Sequence, residues 1–122
     1  MKLLAIFIGG GLGSLLRYGI SVWVLSFSKS NFPIGTIIAN VLSCLILALG
    51  LNYFLSKGIE GWQRYFLIIG FCGGFSTFST FSFETFTLLK NQDYLIAILN
   101  VIVSVILCLF VFWALFKNFA QN

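Results

Sequence analysis

Polar residues are sparse along this chain and come in bunches. Between the bunches run four apolar stretches, at positions 3–27, 32–55, 65–89 and 94–116. A bilayer core needs about 20 apolar residues per helix, so the pattern predicts four transmembrane helices. The connections are short and carry the turn and charge signals: 28–31, 56–64 with Gly58 and Gly61, and 90–93. Pro33 opens the second stretch, where its missing N–H costs little. The first stretch is too long for a signal peptide, has no small-residue cleavage site and carries Arg17 deep inside, so it reads as a retained helix. The expectation is one all-α integral membrane domain over residues 1–122, with no soluble appendage.

Composition sharpens this. Of 122 residues, 60% are hydrophobic and 8% charged, more apolar surface than a soluble domain of this size can hide. The net charge of +4 rests on seven basic and three acidic residues, too few and too scattered for a nucleic-acid surface. Histidine, the commonest general base and metal ligand, is absent. Cys44, Cys72 and Cys108 all lie inside apolar runs; their odd number argues against a disulfide framework and for small packing residues.

Orientation follows the basic residues of the loops. The side with both termini holds Lys2, Lys57, Arg64 and Lys117, and the other holds Lys29 and Lys90. This leans weakly towards cytoplasmic termini. A weak bias fits a protein that inserts in both orientations, and it equally fits a small protein with few charges.

Arg17 and Glu84 are the ionisable side chains that stand out within the spans, and each is costly at membrane depth. Either they snorkel to an interface, or they face protein, water or, for Arg17, an anion. Uncharged polar residues recur at helical spacing: Thr36, Asn40 and Ser43 or Cys44 in the second span; Thr77, Thr80 and Glu84 in the third; Asn100, Ser104 and Cys108 in the fourth. One stripe alone reads as interhelical glue. Stripes on three helices favour a lined, hydrated path. In the first span, Gly9 and Gly13 are four apart, as are Gly10 and Ser14, a spacing that lets helices approach closely. No strand precedes these glycines, which excludes a nucleotide-binding loop.

The segment GFCGGFSTFSTFSFE, residues 70–84, concentrates the unusual chemistry. Gly70, Gly73 and Gly74 weaken the helix. A mid-membrane break there frees backbone groups that only protein or an ion can satisfy, a recurring way to build ion sites. Phe78 and Phe81 are three apart, so their rings are neighbours. Phenyl edges are positive; turned edge-on, they line an anion path without a fixed charge, and turned otherwise they merely pack.

Three motifs, in order, resemble the Fluc/CrcB family of fluoride channels: GGLGSLLRY at 10–18, GTIIAN at 35–40 and the 70–84 segment, the most diagnostic of the three. The resemblance covers all four spans. It implies an antiparallel, dual-topology dimer of four-helix subunits in the plasma membrane, with the third helix broken. It implies a passive, fluoride-selective channel, not an enzyme, with two pores per dimer, which lowers cytoplasmic fluoride. By motif position, backbone carbonyls of Gly73 and Ser76 correspond to a structural Na⁺ site on the dimer axis. Phe78, Phe81 and Asn40 correspond to pore residues, and Thr77, Thr80, Glu84 and Ser104 to a polar track. Arg17 matches a vestibule arginine.

The chain departs from that pattern at Ser43, where glycine is usual, at Asn100, where tyrosine is usual, and at Cys108, where serine is usual. These departures leave open whether an identical copy or a related subunit completes the dimer. Two rival readings stand beside the channel. A proton-coupled cation exporter would need a carboxylate in the first span, which holds Arg17 and no acid. A non-conducting assembly subunit accounts for the glycines but not for three polar stripes.

Overall fold

A computed structural model describes residues 1–116; Lys117, counted above for orientation, lies outside the described residues. Four helical spans are long and apolar enough to cross a membrane, so this is a multi-pass membrane protein. They are α1 (Lys2–Phe27), α2 (Ile34–Lys57), a third span over Trp62–Lys90 and a final helix, Tyr94–Phe116. Among the described residues there is no strand.

The second helix starts at Ile34, not at position 32, because Phe32 and Pro33 belong to the turn. It runs on to Lys57 and stops at Gly58, whose left-handed backbone (φ 62°) few other residues adopt without strain. The Gly58 and Ile59 N–H groups fold back onto the carbonyls of Leu55 and Phe54, satisfying the open end of the helix.

The third span is composite. α3 begins as Trp62–Arg64, widens into a π-helical stretch over Tyr65–Cys72 and returns to α geometry at Gly73–Phe75. Ser76 (ψ 156°) and Thr77 (φ −150°, ψ 120°) are extended. Helix α4 then runs over Phe78–Lys90, and α5 is Tyr94–Phe116.

α1 lies against α3 along its small-residue face. A Cβ on Gly9 would collide with the Phe66 carbonyl oxygen, and one on Gly13 with that of Phe71. From the other side, a Cβ on Gly74 would collide with the Gly10 carbonyl. Gly10 itself has ordinary room: a Cβ there would stand 3.7 Å from the Gly70 oxygen. The interior is built from small and polar residues, including Ala39, Ala48, Ala97, Thr36, Ser43, Asn100 and Ser104, around the fully buried Phe75. Large apolar side chains point outwards, among them Phe7, Leu15, Leu95 and Phe110. That inversion suits a lipid solvent, where close approach of backbones, not the burial of large apolar groups, holds helices together.

Candidate functional site

The site is built around the two extended residues between α3 and α4. In an unbroken helix the Thr77 N–H would donate to the Gly73 carbonyl. Here it donates to Asn40 Oδ1 at 2.7 Å, and Asn40 Nδ2 returns a bond to the Thr77 carbonyl at 3.2 Å. One amide of α2 thus takes up both backbone groups of Thr77. Likewise, the Thr80 N–H would serve the Ser76 carbonyl; it donates instead to Thr77 Oγ1 at 3.1 Å, which makes Thr77 the N-cap of α4. Gly73 and Ser76 are therefore the two residues whose carbonyls lose their helical donors by these diversions. Gly73 is exposed, and a Cβ there would meet nothing within 4 Å.

The carbonyls of Gly74 and Cys72 are bonded within the chain. Gly74 O accepts from Arg17 Nε at 3.2 Å and from Ser14 Oγ at 3.5 Å. Cys72 O accepts from Ser43 Oγ at 3.0 Å and from the Ser76 N–H and hydroxyl. The guanidinium of Arg17 thus sits at the C-terminal end of α3, where the helix dipole favours a cation.

Asn40, Ser76, Thr77, Phe78, Phe81 and Ser104 line one open groove of about 280 Å³, together with Cys44, Val105 and Cys108. The Phe78 and Phe81 rings lie 5.8 Å apart, tilted by 38°. Phe78 is 80% exposed in the single chain. The N-terminus of α4 opens here, and the N–H groups of its first turn make it a positive end.

Thr80, Glu84 and Arg17 are not part of that groove. Glu84 lines a separate cavity of about 340 Å³ near the 28–33 and 91–93 turns. Its Oε1 accepts from Thr36 Oγ1 at 2.6 Å, and its buried Oε2 has no hydrogen-bond partner among the described residues. The expectation that Thr77, Thr80 and Glu84 share a helix face needs correction. Only Thr80 and Glu84 lie on one helix, because Thr77 is the extended cap before it.

Spacing placed Thr36, Asn40 and Ser43 on one face of α2, and all three bond to the third span. Asn100 and Ser104 are bonded to each other along α5 at 3.3 Å, and Asn100 Nδ2 donates to Thr85 Oγ1 at 2.9 Å. Thr85 escaped the sequence reading. It is adjacent to Glu84 and off the three-to-four-residue stripe, so spacing gave no signal for it.

The family described as "CrcB-like protein, Camphor Resistance (CrcB)" matches residues 4–116. A protein of Pyrococcus abyssi named "Fluoride-specific ion channel FluC" is 49% identical over 105 residues, covering 84% of this chain and 83% of its own. A protein of the same name from Geotalea daltonii is 44% identical over 111 residues, covering 88% and 90%. Another, from Coxiella burnetii (strain CbuK_Q154), is 41% identical over 116 residues, 93% of each chain. With likeness running through all four spans, the chain belongs to the CrcB family.

Proposed function

We propose that this chain is a subunit of a fluoride-selective channel that lets fluoride leave the cytoplasm passively. The working unit is an antiparallel dimer of copies inserted in opposite orientations, with two pores. The observation that carries the reading is the groove at the 76–77 interruption, taken with the names of the relatives.

Fluoride is small and strongly hydrated, so a pore must replace its water with several weak donors in series and still release it. The groove offers the second N–H of the Asn40 amide, the edges of Phe78 and Phe81 and the positive N-terminus of α4; the Ser104 hydroxyl, which donates to Asn100 Oδ1, would join them by turning from that bond to the ion. No lysine or arginine lines the groove, so it offers no fixed positive charge to trap the anion. Thr80 and Glu84 extend a polar track beyond the groove towards the cavity by the turns.

A structural Na⁺ fits the carbonyls that the interruption releases. Gly73 and Ser76 would hold it, on a face where Gly73 is open to a second copy. When bound, the ion supplies positive charge to freed carbonyls, and a second copy would double the number of oxygens. The two ends created by the interruption then have opposite preferences: the C-terminal end of α3 for a cation, the N-terminal end of α4 for an anion.

The test is flux from liposomes loaded with sodium fluoride or sodium chloride. Fluoride is expected to leave and chloride to stay, with no proton gradient. In the same assay Phe81→Ile is expected to slow fluoride about tenfold, equivalent to ~1.4 kcal/mol on the barrier, while the protein stays dimeric. Equal chloride flux, or a requirement for a proton gradient, would rule the channel out.

A further inference from the structure

Two of the three cysteines meet in the groove wall. Cys44 stands on α2 and Cys108 on α5, and the two line the same groove, near enough for each thiol to bear on the other's charge. Both are free, half-buried and part of the groove that holds Asn40, Phe81 and Ser104. Cys72 lies near Cys44 but is buried, with 2% of its surface exposed. Packing accounts for Cys72. It does not account for a thiol pair from two helices presented to an open groove.

Paired thiols are soft donors. Hard cations prefer oxygen, whereas soft ions such as Cu⁺ prefer sulfur. Among the described residues no three His, Cys, Asp or Glu side chains converge, so a tetrahedral zinc site is not available. Two sulfurs suit ions that take two ligands in line: Ag⁺, Cu⁺ and Hg²⁺. The thiolate is the ligand, so each thiol releases its proton as its sulfur–metal bond forms. With Hg²⁺ the balance is one ion and two thiols giving one S–Hg–S unit and two protons, with no oxidant or reductant.

We propose that Cys44 and Cys108 form a two-thiol site for a soft, two-coordinate metal ion, and that its occupation closes the groove to fluoride. The closure rests on the channel reading above; the site itself does not.

The experiment uses HgCl₂ on purified full-length protein with Cys72 replaced by Ser or, should that variant fold poorly, by Ala. Thiol titration and the ultraviolet absorbance of mercury-bound thiolate are expected to show one Hg²⁺ per chain consuming two thiols. Adding Cys44→Ser or Cys108→Ser is expected to weaken binding roughly 100-fold, since the second ligand is no longer held close to the first. One Hg²⁺ per thiol when the metal is limiting, or an affinity that neither serine substitution lowers, would overturn the site. In liposomes, one equivalent of Hg²⁺ is expected to stop fluoride flux in the two-thiol protein. In the single-thiol variants, flux should continue at each variant's own unblocked rate. Two-thiol binding with flux undiminished overturns the closure. Two-thiol binding in a protein that carries no fluoride before Hg²⁺ is added overturns the channel reading and leaves the site standing.

Discussion

At the residue scale, Asn40 has the heaviest task. Its amide accepts from the Thr77 N–H and donates to the Thr77 carbonyl. It therefore holds the extended backbone that frees the Gly73 carbonyl. Replacing it by alanine leaves both Thr77 groups without their partner, and an unsatisfied buried polar group costs about 1–3 kcal/mol. Thr77 is only half-buried, which places the cost towards the low end. Asn40→Ala is therefore expected to lower the unfolding midpoint in detergent and to reduce fluoride flux together. Phe81→Ile, which removes a ring but no hydrogen bond, is expected to reduce flux with less effect on stability. Should Asn40→Ala unfold at the wild-type midpoint, the amide is not what holds Thr77 in place.

At the scale of elements, the four spans are legible because burial in lipid asks for length and apolarity, and both are written in the residues. The stripe of Thr36, Asn40 and Ser43 is legible for a similar reason: helical spacing puts them on one face, and that face meets the third span. What spacing misses depends on backbone geometry that no period encodes. The π-helical widening over Tyr65–Cys72 has no residue signature. Thr77 leaves the helix, so its supposed alignment with Thr80 and Glu84 fails. That Cys44 and Cys108 share one groove depends on how α2 and α5 are placed side by side, which neither helix specifies alone. The glycines of α1 show the same division. Spacing marks Gly9 and Gly13, but only contact distinguishes them from Gly11, where a Cβ meets nothing within 4 Å. Gly13→Ala must displace backbone, and overpacking of this kind typically costs about 1–3 kcal/mol. Gly11→Ala should be neutral or slightly stabilising, because alanine is the better helix former. Thermal unfolding of the two variants in the same detergent checks this. Equal midpoints would mean that α1 does not depend on its close approach to α3.

At the scale of the whole molecule, the loop charges decide which way each copy inserts. Four basic residues stand on the side of the termini and two on the other, a bias small enough for a few substitutions to set or reverse. The antiparallel dimer proposed above requires both orientations in one membrane. Lys29→Ser with Lys90→Ser leaves basic residues only on the terminal side, and is expected to drive every copy to insert with its termini in the cytoplasm. Lys57→Ser, Arg64→Ser and Lys117→Ser together leave one against two and favour the opposite insertion. Each variant expressed alone then lacks antiparallel partners, and cells or vesicles carrying it should lose most fluoride efflux. Expressed together, the two populations supply each other's partner, and efflux should return towards the wild-type rate. A destabilised subunit would not be rescued by a second destabilised subunit, so recovery in the mixture separates orientation from folding. Full efflux from either variant alone would show that copies inserted the same way conduct, and the antiparallel arrangement would have to be given up.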